Sequence, residues 1–117
     1  MNKKKMKNIS WDEFEKIEIR VGTIVEAEDF PEAIKPAYKL KVDLGESLGI
    51  KQSSAQITTL YSKEDLIGKQ VMVVTNLGPK QIGPFVSECL ITGFHVTSED
   101  VVLSGPKQKI KNGTLLS

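Results

Sequence analysis

The chain carries one histidine, His95, and one cysteine, Cys89, the residue types from which bases, nucleophiles and metal sites are commonly built. They lie six residues apart, on or just beyond an apolar run, so they need not face the same way. One His with one Cys cannot furnish a usual zinc site. Cys89 lacks an activating neighbour and reads as a small core residue. His95 follows Phe94 at a strand end, where a surface imidazole is ordinary. Gly78 to Gly83 holds glycines but opens no helix and lacks the phosphate-loop pattern. Ser53-Ser54 has no base close in sequence, and the eight acids between residues 11 and 34 read as a solvated face. These residues predict a protein that is not an enzyme and uses no cofactor and no metal.

The elements that would carry a binding site must come from 117 residues, enough for one domain. Hydrophobic residues make up 39% and charged residues 26%, a globular mixture rather than a disordered one. No apolar run is long enough to span a bilayer, and no signal-peptide core follows the basic start. With one cysteine there is no internal disulfide, which predicts a cytoplasmic protein with no membrane insertion. The net charge of +1 argues against a strongly basic nucleic-acid binder, but its distribution is uneven. Lys3, Lys4, Lys5 and Lys7 predict a flexible basic tail over residues 1–8, ahead of one domain over 9–117. Lys107, Lys109 and Lys111 make a second basic stretch.

Ser10 and Glu13 form a capping box for a short helix over Ser10 to Ile17, with Ile9 and Phe14 as a hydrophobic staple. Trp11, Phe14 and Ile17 share one face, which must dock on the barrel or on a second subunit. From Ile17 to Ala27 apolar and polar residues alternate, with Ile24 as the exception, predicting a long half-buried strand. Gly22 within it predicts a bulge or bend. Phe30 to Pro36 reads as a loop; Tyr38 to Leu44 and Ile50 to Ala55 read as strands. Gln56 to Leu66 reads as short-helical with Ser62 as cap. Val71 to Thr75, Val86 to Phe94 and Val101 to Leu103 read as further strands. The expected architecture is all-β: a five-stranded Greek-key barrel of OB type, with a short N-terminal helix and another between strands 3 and 4.

Glu18-Ile19-Arg20-Val21-Gly22 resembles the strand signature of the tRNA-binding domain family. Tyr38 to Gly45 is similar to that family's second strand, and Asn76-Leu77, Pro79 and Ser87 to its late segment. Within the family, Gly49 to Thr58, Phe30-Pro31-Glu32-Ala33, Lys35 to Tyr38 and Ser87-Glu88-Cys89-Leu90 resemble the CsaA group of export-associated chaperones. The similarity runs from about Phe14 to the last residue. It implies an OB-fold homodimer whose interface uses terminal extensions outside the barrel, and ligands that are unfolded polypeptides or export presequences. The wider family implies tRNA. This sequence departs from the tRNA-binding pattern where Gln81 and Gly83 replace basic residues and Cys89-Leu90 replaces Gly-Met.

The expected peptide-binding residues are Phe30, Pro31, Ile34, Pro36, Tyr38, Gln52, Ser54 and Phe85, near an OB rim. Phe30 and Tyr38 equally suit plugs at the barrel ends, and Gln52 and Ser54 equally suit internal turns and sheet ends. The expected RNA-binding residues are Arg20, Lys39, Lys41, Lys51 and Lys80, with Ser87 implied by the family motif; an ordinary solvated sheet face is the plain alternative. Trp11, Phe14 and Ile17 are the expected dimer interface. Three functions compete: a polypeptide-binding chaperone with tRNA as a second ligand, a structure-specific RNA-binding dimer, and an assembly scaffold.

Overall fold

The alternation after Ile17 becomes an eleven-residue strand, β1 (Ile19–Asp29), and the remaining elements are arranged along its two edges. A computed structural model describes residues 6–117; Lys3, Lys4 and Lys5 of the expected tail lie outside that range. α1 (Trp11–Glu15) precedes β1, and β2 (Tyr38–Asp43), β3 (Ile50–Ala55), α2 (Lys63–Leu66) and β4 (Gln70–Val74) follow it. Then come β5 (Lys80–Ile82), β6 (Phe85–Ser87), β7 (Leu90–Ile91), β8 (Gly93–His95), β9 (Val101–Leu103) and β10 (Leu115–Leu116).

The main sheet runs β3-β2-β1-β4-β7, and β10 joins β1 beyond the end of β2. Each pairing is antiparallel. The open edge of β3 is met by β6 and the residue that follows it. There the Glu88 N–H donates to the Gln52 carbonyl at 2.8 Å, and Gln52 Nε2 donates to the Val86 carbonyl at 2.8 Å. The sheet thus nearly closes on itself as the expected small barrel. Its interior holds Ile24, Leu40, Val42, Leu44, Val71 and Val73, with Leu66 of α2 packed among them. The two helices are shorter than expected, but α1 carries the capping box read from Ser10-Glu13, and the expected cap Ser62 proves to be half of a second box with Asp65.

The strand reading of β1 needs correction at its centre. Ile24, the apparent exception, is fully buried, whereas Val25 is 40% exposed. The register shifts between Ile24 and Glu26, so Val25 is the extra residue of a bulge. Core-facing positions are therefore Gly22 and Ile24 before the bulge and Ala27 after it. Gly22 has a separate task from the bulge. A Cβ there would lie 2.6 Å from Val42 Cγ2 and 2.8 Å from Leu44 Cδ2, so its absence lets β1 and β2 curl together. The expected single strand from Val86 to Phe94 is three short ones, because β6 pairs with β5, β7 with β4 and β8 with β9.

Cys89 belongs to this core. It is 7% exposed, and its Sγ lies 3.7 Å from the Gln52 carbonyl. Burial first, and Glu88 second, push its thiol up to about 11.

Two tests follow from this packing. Gly22→Ala is expected to cost about 1–3 kcal/mol in chemical denaturation, the usual cost of overpacking. Gly78→Ala is expected to stay within about 0.5 kcal/mol, since open space surrounds that position. For Cys89, alkylation of the native protein at pH 8 is expected to run on the order of a hundredfold slower than in denaturant, because so little thiolate is present. Equal rates in the two states would show that the thiol is neither buried nor raised.

Candidate functional site

β3, the β5–β6 hairpin and the β7–β9 segment do not close tightly against one another, and a cleft of about 570 Å³ lies between them. Its polar wall comes from Ser54 and Ser87. The Ser87 hydroxyl accepts the Ser54 N–H at 2.9 Å and lies 3.4 Å from Ser54 Oγ. Its apolar wall includes Leu77, Ile82 and Ile91; Lys80 supplies a cation and His95 an imidazole. β5 pairs only with β6, so its outer edge carries no partner strand among the described residues.

Of the expected peptide-binding residues, Gln52 and Phe85 line one shallow concavity with Lys39 and Lys41. Phe30 and Tyr38 are buried at 4% and 8% exposure and act as plugs. The Phe30 ring packs on Phe85 at a centroid distance of 5.4 Å, and Tyr38 Oη donates to the Tyr61 carbonyl at 2.8 Å. Pro31, Ile34 and Pro36 lie exposed on the loop between β1 and β2. Gln52 spends its side-chain amide on Val86, and Ser54 alone of the set lines the cleft.

The expected RNA-binding cations are also divided. Arg20 donates to Glu18 Oε2 at 3.0 Å and to the Gly113 carbonyl at 2.8 Å, which fixes it between β1 and the segment before β10. That guanidinium first, and the Thr75 hydroxyl second, hold the Glu18 carboxyl below its ordinary value. Lys41 and Lys39 sit directly opposite Glu26 and Glu28 across the β1–β2 pairing, at 3.7 and 4.0 Å. Those four charges largely neutralise one another. Lys51 is half-buried on β3, while Lys80 and Ser87 line the cleft.

The expected interface residues project outward: Trp11 is 84%, Phe14 41% and Ile17 45% exposed. Their position is fixed by Asn76. Its Oδ1 accepts the Glu18 N–H at 2.9 Å, and its Nδ2 donates to the Lys16 carbonyl at 2.6 Å. Beside α1, the cross-strand partners Leu90, Val74, Ile19 and Leu116 form one row across four strands. Paired residues share a sheet face, so the row is continuous and apolar. Sequence reasoning missed Leu77, Ile82 and His95 as cleft residues, and Leu115-Leu116 as a strand. An apolar pair near the end of the chain was the only local signal for β10.

Residues 19–115 match the family described as "Putative tRNA binding domain". The methionine–tRNA ligases of Thermococcus kodakarensis and Methanocaldococcus jannaschii are 36% and 39% identical to the chain over 110 residues. The match covers 94% of this chain but only 14% and 16% of those enzymes. Chaperone CsaA from Bacillus anthracis str. Ames is 44% identical in sequence and superimposes with a TM-score of 0.91, covering 95% of this chain and all of that one. The CsaA chaperone protein of Picrophilus torridus is 46% identical, with a TM-score of 0.87 over 94% of this chain and 100% of its own. Both resemblances span the extensions as well as the barrel. With its barrel, its Asn76 side chain clamping the start of β1 and the match over residues 19–115, the chain belongs to the tRNA-binding domain family.

Proposed function

We propose that the chain is a CsaA-like chaperone, a cytoplasmic homodimer that binds unfolded or export-destined polypeptides without catalysis and takes tRNA as a second ligand. The cleft carries this reading. An extended polypeptide presents alternating apolar side chains and unpaired backbone groups. The cleft offers apolar walls beside two hydroxyls and the open edge of β5, a combination suited to adding a strand. Ser54 and Ser87 would hold the backbone, while Leu77, Ile82 and Ile91 would take side chains. The exposed loop of Pro31, Ile34 and Pro36 is the alternative apolar surface for such a ligand.

A homodimer would cover what the monomer leaves open. Trp11, Phe14 and Ile17 stand beside the row that ends in Leu90 and Leu116, all of them large and apolar. Burying one such side chain fully contributes about 1.5–3 kcal/mol. Leu90 also lines the cleft, so the interface and the cleft would be continuous.

The tRNA reading is favoured by Lys80 and His95 at the cleft and by the family itself. Here the β2 lysines would contribute little, because each faces a glutamate. Alone, this reading would make the chain a structure-specific RNA-binding dimer.

Sedimentation should show a dimer for the native chain and a shift toward monomer for Trp11→Ala combined with Phe14→Ala, with the circular dichroism unchanged. A native monomer would remove the dimer from the proposal. For the cleft, suppression of aggregation of a denatured polypeptide is the readout. Leu77→Asp is expected to lose most of the activity and Ile34→Asp little. The reverse ranking would move the peptide site to the loop, and no activity in the native chain would leave the RNA-binding dimer as the function.

A further inference from the structure

Lys69, Lys107 and Lys109 surround a hollow of about 500 Å³ that shares Leu103 with the cleft. No carboxylate among the described residues lines it. None of the ion pairs among the described residues uses these lysines. Asp65, which feels Lys69 electrostatically, keeps its carboxylate on the Ser62 N–H as part of the α2 cap.

The segment that carries Lys107 and Lys109 has no regular secondary structure, yet it is fixed in place. Gln70 Nε2 donates to the Ile110 carbonyl at 2.6 Å and to Asn112 Oδ1 at 3.0 Å, and Gln70 Oε1 accepts the Ile110 N–H at 3.0 Å. Upstream, the Met72 N–H donates to the Ser104 carbonyl at 2.9 Å. A Cβ on Gly105 would lie 2.5 Å from the Gln70 carbonyl oxygen, so the segment runs in backbone contact with β4. These lysines are therefore presented from a rigid edge rather than from a loose tail.

We infer that this hollow is a phosphate-backbone seat for RNA, continuous with the cleft across Leu103. It rests on the tRNA reading above and names the residues that would carry it. Unopposed ammonium groups around one concavity favour a polyanion with closely spaced charges. The hollow selects backbone rather than bases. Tyr61 is the one aromatic in its lining among the described residues; Lys69 Nζ covers one face of that ring at 5.6 Å, and the Tyr61 hydroxyl accepts the Leu103 N–H at 3.0 Å, so the hollow offers no row of rings for stacking bases. A strand leaving the hollow over Leu103 would reach Lys80 and His95. A concave seat suits the ridge of a phosphate backbone better than the flat surface of an anionic membrane.

The test is a titration of bulk tRNA into the full chain at several salt concentrations. The triple variant Lys69→Ala, Lys107→Ala, Lys109→Ala is expected to bind about tenfold or more weakly at low salt, and its log–log salt slope to fall by about 2–3, close to 0.9 for each lost contact. Arginine at the same three positions should restore both. Lys39→Ala with Lys41→Ala should stay within about twofold of the native chain, since those lysines are already paired. Thermal unfolding confirms that each variant is folded. A triple variant that binds like the native chain, or a paired-lysine variant that loses as much, overturns the seat while leaving tRNA binding intact. A native chain that shows no salt-dependent tRNA binding overturns both. Preference for vesicles containing phosphatidylglycerol over tRNA overturns the assignment to RNA.

Discussion

The structure depends on how closely β1 and β2 can approach. A long strand can serve β4 on one edge and both β2 and β10 on the other only if it coils, and coiling brings facing side chains into collision. Gly22 removes the collision with Val42 and Leu44, and the bulge at Val25 then lets the strand bend without losing its pairing. Past the bulge the inward parity changes, so Ile24 and Ala27 can both meet the core. Everything that surrounds the cleft inherits this curvature, because β3 reaches the Val86–Glu88 segment only when the sheet has turned far enough.

How much of this was legible depended on whether a feature is local. Capping uses residues close in sequence, so the Ser10-Glu13 box and the Ser62 cap could be read directly, though the helices they start are little more than a turn in length. The barrel class followed from short alternating strands and the helix before β4. The bulge was visible only as a broken alternation at Ile24, and its true position required the partner strand. The Val86 to Phe94 run is uniformly strand-like, and what divides it is a change of partner, which composition does not encode. The cleft shows the same limit. Ser87 was reachable through a family motif, but Leu77, Ile82 and His95 come together only because β5 to β9 fold as two hairpins. Phe30 and Tyr38, for which the sequence left two readings equal, are buried, as a plug at a barrel end would be.

Charge distribution explains how a nearly neutral chain can still present a cationic surface. Most of the acids between residues 11 and 34 are held close to home. Glu13 caps α1, Glu18 ties Arg20 to Thr75, Glu26 and Glu28 face Lys41 and Lys39, and Asp29 accepts from Lys63. The four pairs with Arg20, Lys41, Lys39 and Lys63 each neutralise a charge within a few ångströms, and beyond a Debye length of about 10 Å little of their field survives. Among the described residues the C-terminal lysines have no such partners, so their charge is not cancelled where it stands. Net charge then underestimates what a polyanion meets, because it sums over pairs that are silent at a distance. The same pairing disqualifies the β2 face and qualifies the hollow beside β4, although both carry lysines in the sequence. A cation's usefulness for binding is set by the acid opposite it, and that acid is chosen by strand register.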